Sequence, residues 1–158
     1  MSKTVKRIMT IGYEQMRGEQ LIALLQRAGV RNLIDVRELP LSRRKGFSKT
    51  ALSANLTAHG IAYRHLRDLG DPKPGREAAR AGEFAKFRKI YAAHLKTKRA
   101  QDALAEAIRM AKDETSCLLC FEREPEHCHR SIVANLIGER ARLSIEHLIF
   151  TVRTTDGP

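Results

Sequence analysis

The chain has 158 residues, the length of one domain, and is 42% hydrophobic and 30% charged with 10 Gly and 5 Pro, which excludes collagen-like, low-complexity and wholly disordered chains. Its net charge is +11, and residues 31–101 hold 17 of the 29 basic side chains against 6 of the 18 acidic ones; no apolar run approaches the roughly 20 residues of a membrane span. The stretch from Met1 to Arg7 lacks the apolar core of a secretion signal and the three cysteines are an odd number, so a reducing compartment, the cytoplasm, is expected, with no disulfide framework.

In chain order, Arg7 to Tyr13 reads as a buried strand ending in a Gly turn. Leu21, Ile22, Leu24, Leu25 and Ala28 then recur at helical spacing, and Gly29 stands where a helix ends. Asn32 to Arg37 is a second strand, so the first 37 residues form a strand–helix–strand unit with parallel pairing and a right-handed crossover. Residues 38–48 read as a loop, Ser48 as the cap of a helix running to Ala58, and Gly60 as its close. Ile61 to Leu66 is a short third strand.

Residues 68–82 hold three Gly and two Pro and read as an ordered excursion or a mobile loop. Phe84, Phe87, Ile90, Tyr91 and Leu95 mark an amphipathic helix with a basic outer face, and a further helix runs from about Ala100 to Lys112. Ser116 to Glu122 is the most apolar strand. Ile132, Val133, Leu136 and Ile137 mark a helix, with Gly138 as its expected end, and a last strand runs from Ser144 to Val152. The alternation predicts a single-domain, three-layer α/β fold with a mostly parallel central sheet flanked by helices, and a loose tail over 153–158.

Ligands of open parallel sheets bind beyond the C-terminal strand ends. The polar residues of this chain collect there: Tyr13 after the first strand, Asp35 and Arg37 after the second, Tyr63 and His65 on the third, Cys120 and Glu122 on the apolar strand, and Cys128, His129 and Arg130 at the start of the next helix. Arg43 and Arg44, beside Lys45 and Phe47, follow the Asp35 strand and overhang the same rim. Asp35 with Arg37 also suits a buried ion pair, and His65 a structural hydrogen bond. Glu122 is harder to place without a function, because a carboxylate at the end of an apolar strand needs a partner.

Cys128-His129-Arg130 allows several chemistries. The helix N-terminus with Arg130 suits an anion. His129 and the same helix end would lower the Cys128 pKa and make it a nucleophile, although Arg130 lies too close to Cys128 for the Cys-x5-Arg phosphate loop. Both Cys128 and Arg130 also suit purely structural roles. A metal set drawn from Cys117-x-x-Cys120 is opposed by geometry, since residues three apart on a strand face opposite sides; no metal ligand is assigned on that basis.

Together the motifs resemble a widespread prokaryotic family, domain of unknown function four-eight-eight. They are Thr10-Ile11-Gly12-Tyr13, Leu33-Ile34-Asp35-Val36-Arg37 with Pro40 and Ser42, Phe47-Ser48, Gly60-Ile61-Ala62-Tyr63 with His65-Leu66, Leu69-Gly70, Leu119-Cys120-Phe121-Glu122 and Cys128-His129-Arg130, spread over about residues 7–140. The resemblance implies that these positions belong to one pattern. It brings no activity, substrate or cofactor.

The residues themselves point to one rim site. Asp35, Glu122, His65 and Cys128 are its candidate catalytic groups, and Tyr13, Arg37, Arg43, Arg44, Tyr63, His129 and Arg130 its candidate substrate- and anion-binding groups. The expected partner is a nucleic acid or a phosphorylated small molecule, and the expected reaction hydrolytic or a base or phosphate transformation. One alternative is a non-enzymatic nucleic-acid-binding module using the basic middle of the chain. Another is a metal or redox protein using Cys120, Cys128 and His129.

Overall fold

A computed structural model describes residues 4–151. Five strands form one parallel sheet: β1 (Arg7–Gly12), β2 (Asn32–Asp35), β3 (Ala62–His65), β4 (Ser116–Cys120) and β5 (Ser144–Leu148), in the order β3-β2-β4-β1-β5. The helices are α1 (Gly18–Arg27), α2 (Lys49–Ala58), α3 (Lys73–Arg80), α4 (Phe84–Leu95), α5 (Lys98–Asp113) and α6 (His129–Ala141). The expected three-layer α/β fold with a parallel sheet is the fold observed. No helix among the described residues is long and apolar enough to cross a membrane. The tail expected to be loose lies outside the described residues, as does the last residue of the strand drawn to Val152.

Burial follows from strand position. β1 and β4 are central and almost wholly buried, as strands covered on both faces must be. Successive side chains feed opposite layers. Met9, Ile11, Leu33, Cys117 and Leu119 pack under α1 and α2, while Ile8, Ile34, Leu118 and Cys120 pack under α4, α5 and α6. Cys117 and Cys120 therefore lie on opposite faces, as their spacing requires.

Three expectations change in the structure, and one choice left open between two readings is decided. β1 and β2 are not neighbours, because β4 inserts between them and pairs with both. Ser48 precedes α2, but its hydroxyl does not cap it; Oγ accepts from the Ser42 amide (3.0 Å) and donates to the Ser42 carbonyl (3.2 Å), pinning the loop instead. Gly138 does not end α6. It lies inside the helix, where a Cβ would press on the Leu143 carbonyl, and the helix ends at left-handed Arg142. The segment 68–82 is an ordered excursion, with a 3-10 turn over Arg67–Leu69 leading into α3. Tyr91 donates its hydroxyl to the Leu69 carbonyl (2.6 Å) and His94 its Nε2–H to the Asp68 carbonyl (2.6 Å).

In the parallel register Gly12 stands beside Cys120, and Asp35 stands beside both Leu119 and His65. The C-terminal strand ends thus form one level rim. Gly12 is indispensable to it. A Cβ there would overlap the Glu122 carbonyl, so only glycine lets the chain leaving β4 cross so close.

Candidate active site

A cavity of about 590 Å³ opens above this rim. Tyr13, Arg37 and Glu38 line it from the ends of β1 and β2. Cys120, Phe121 and Glu122 line it from β4, and Cys128 and His129 from the start of α6. Arg43 comes from the 38–48 loop, and Asp71, Arg76 and Arg80 from the excursion. A larger cavity, about 800 Å³, lies by α1 and α2 with Arg44, Lys45 and Phe47 in its wall; it holds no cysteine, and Glu19 is its only carboxylate. Cys120 and Cys128 meet Asp71, Glu122 and His129 in the smaller cavity.

Its centre is a thiol–imidazole cluster. His129 Nε2 lies 2.6 Å from the Val36 carbonyl, which can only accept, so Nε2 carries a proton and donates it. Nδ1 therefore faces Cys120 Sγ and Cys128 Sγ, at 3.8 Å from each. Burial by itself would push the Cys128 thiol up; the hydrogen bond with Cys120 and the positive His129 and Arg130 outweigh it and hold Cys128 well below the usual thiol range. Its partner Cys120 is held well above that range by the same bond and by burial. Burial opposes the charge on His129, yet Cys128 and the Val36 carbonyl raise its pKa to about 9. The opposite shifts favour charge separation between the Cys128 sulfur and the His129 ring, and the N-terminus of α6 adds its positive dipole.

Two carboxyls share the cavity. Burial and the nearby Cys128 raise Glu122 to about 7, and its Oε2 lies 3.5 Å from Cys120 Sγ. Asp71, at the entry to α3, is raised to about 6 by burial, against the opposing pull of His129 and Arg76. Its Oδ1 is buried, against Gly75, without a hydrogen-bond partner among the described residues. The sequence reading missed Asp71, since it sits in a segment without periodicity. The signal was the Gly-Asp-Pro run of residues 70–72, a turn feeding a helix.

Other expected site residues have different surroundings. Asp35 is fully buried in an ion pair with Arg37, at 2.7 Å between Oδ2 and Nη2. It also accepts from Arg37 Nε (2.9 Å), from the Arg37 amide (3.1 Å) and from the Tyr63 hydroxyl (2.5 Å). Four bonds occupy the lone pairs of one carboxylate. Tyr63 is thereby held, and burial with the nearby Asp35 raises its pKa above the phenol range. Arg37 also donates to the Tyr13 hydroxyl and the Phe47 carbonyl, and Tyr13 stacks on Phe47 at 4.6 Å. His65 donates to the Arg37 carbonyl (2.7 Å), and Arg44 to the Met16 carbonyl (2.6 Å).

Arg130, expected at the anion, is fully buried beneath the cavity floor. It donates to Thr10 Oγ1 (3.1 Å) and to the Glu122 and Arg123 carbonyls. Thr10 Oγ1 is also hydrogen-bonded to His147 Nδ1 (2.6 Å). The cations left at the cavity are Arg43 and Arg80, both exposed and without an ion pair among the described residues. Leu39, Leu41 and Phe121 form an exposed apolar lip. The groups able to hold a metal are Cys120, Cys128 and His129.

A parallel five-stranded sheet with a thiol-, imidazole- and carboxyl-lined cavity beyond its strand ends defines an α/β protein with a polar rim site. The sequence model described as Domain of unknown function DUF488 matches residues 17–137, and the chain belongs to that family. Comparison with curated proteins and with solved structures gives no match.

Proposed function

We propose that the protein is an enzyme that hydrolyses a phosphate-bearing substrate of the nucleotide class, a free nucleotide or part of a nucleic-acid strand, in the rim cavity. The observation that carries this reading is the placing, across one cavity, of the exposed guanidinium groups of Arg43 and Arg80 opposite the Glu122 carboxyl and the Cys128–His129 pair. Arginine forks suit phosphate oxygens. The apolar lip of Leu39, Leu41 and Phe121 suits the flat face of a base. The basic stretch 31–101 supplies Arg43, Arg76 and Arg80 and steers a polyanion towards them. In the hydrolytic step Glu122 takes a proton from the attacking water; the water oxygen forms the new bond, the scissile bond breaks, and the proton passes to the leaving group. The three free cysteines favour a reducing compartment, the cytoplasm.

A second reading makes Cys128 a covalent nucleophile. It is favoured by the single His129 nitrogen that faces the sulfur at 3.8 Å while the other is tied to the backbone. One panel separates the readings: turnover of nucleotides and short DNA and RNA strands by the wild type, Glu122→Gln and Cys128→Ser. Hydrolysis predicts loss of 10²-fold or more in Glu122→Gln. A covalent adduct on Cys128, seen by intact mass, puts the nucleophile first. Tight, salt-sensitive binding without turnover, lost when Arg43, Arg44 and Lys45 are neutralised, makes the protein a binding module and ends the enzyme reading.

A further inference from the structure

We infer that Cys120, Cys128 and His129 form a site for one soft divalent cation of the zinc class, with its open position towards the rim cavity. The inference names a cofactor for the hydrolase proposed above; its role there rests on that reading, while the site itself does not.

The donor set is the first argument. Two sulfurs and one imidazole nitrogen are the ligands this class of ion prefers. The second is geometry. The three donor atoms all lie within 4.8 Å of one another, and His129 Nδ1 is 3.8 Å from each sulfur. Tetrahedral zinc, with bonds of about 2.3 Å to sulfur and about 2.0 Å to nitrogen, sets those edges at about 3.6 Å. The protein already holds the imidazole nitrogen within a few tenths of an ångström of that spacing from each sulfur.

The third argument is the outer shell. The Nε2–H bond to the Val36 carbonyl, at 2.6 Å, selects the tautomer whose Nδ1 is free to ligate. Metal-bound histidines keep such a partner. The ligands also stand on rigid supports. Cys120 ends a strand paired on both sides, and Cys128 and His129 begin a 13-residue helix. Cys117 is on the other sheet face and takes no part. Three protein ligands leave one position open, the pattern of a catalytic rather than a closed structural ion site. Glu122 Oε2 lies 3.5 Å from Cys120 Sγ and lines the same cavity.

The test uses the untagged full chain, reduced and stripped with a chelator. Zinc is titrated against a coloured competitor, and cobalt is followed by its absorption. The expected result is one equivalent of zinc bound at micromolar or tighter affinity, with cobalt giving tetrahedral bands and a thiolate charge-transfer band. Cys120→Ser and Cys128→Ser each weaken binding 100-fold or more, and Cys117→Ser leaves it unchanged. Should a serine variant not fold, the wild type still decides, because zinc then shields Cys128 from alkylation in the native protein. Absence of stoichiometric binding, a cobalt spectrum without the thiolate band, or alkylation unaffected by zinc overturns the site. Turnover that survives in metal-free protein removes the ion's catalytic role and leaves the hydrolase. One bound equivalent without turnover on any phosphorylated substrate keeps the ion and removes the hydrolase.

Discussion

Arg130 sets the position of Glu122 from below. Its guanidinium, sealed from solvent, donates to the Glu122 carbonyl and to the next carbonyl, at Arg123, while Nε is anchored on Thr10 of β1. The cavity carboxyl is therefore carried on a segment clamped to the central strand, in the space that Gly12 leaves open. Replacing Arg130 with Met should leave two carbonyls and a hydroxyl buried without their donor, at a cost of about 3 kcal/mol in a denaturant melt. A variant as stable as the wild type would show that the clamp is not needed.

The Asp35–Arg37 pair should behave as structure rather than chemistry. Asp35→Asn leaves the Arg37 charge buried without its counter-ion and should cost about 3–5 kcal/mol. Adding Arg37→Met removes that orphaned charge, so the double variant should recover much of the loss. A double-mutant cycle with no coupling between the two would refute the pair.

Much of this arrangement could be read in the sequence. Helices and strands repeat their apolar residues at 3.6 and 2, so α1, α4 and α5 and the first four strands appear near their true ends, whereas the last strand stops at Leu148, short of the expected Val152. Strand order could not be read that way: nothing local to β4 says that it enters between β1 and β2. The polar rim was legible because strand direction sends Asp35, Cys120 and Glu122 to one edge. The split among them was not. Whether Arg130 meets a ligand or three protein oxygens depends on the path of residues 121–128, and that path depends on the close approach at Gly12. Asp71 stayed hidden because a helix entry inside an irregular excursion has no period to detect.

The lone arginines at the cavity mouth should govern affinity and little else. Arg43→Ala and Arg80→Ala each remove one guanidinium with no ion pair among the described residues, so thermal midpoints should barely move. Binding of a short single-stranded oligonucleotide should weaken by roughly tenfold for each, and the slope of log affinity against log salt should fall by about 0.7 per side chain. Unchanged affinity and slope in the double variant would take the anion away from this cavity.

Asp71 offers the pH test. Asp71 is 5% exposed, one carboxyl oxygen has no partner among the described residues, and burial raises its pKa from 3.8 to about 6. The charges acting on it are mixed: His129 and Arg76 favour its ionised form, and Cys128 and Glu38 oppose it. An acid whose folded pKa exceeds its unfolded value binds its proton more tightly in the fold. Its contribution is therefore most favourable below about pH 4, is lost progressively as pH rises to about 6, and stays lost above that. Two pKa units correspond to about 3 kcal/mol. Asp71→Asn carries no charge to desolvate, so it should stabilise the protein by about 2–3 kcal/mol at pH 7.5 and by almost nothing at pH 4. Urea melts of both proteins across that range measure the difference directly. A constant gap between the two curves would mean that Asp71 does not titrate near 6, and a destabilised variant at pH 7.5 would mean that the ionised carboxyl is held by a partner.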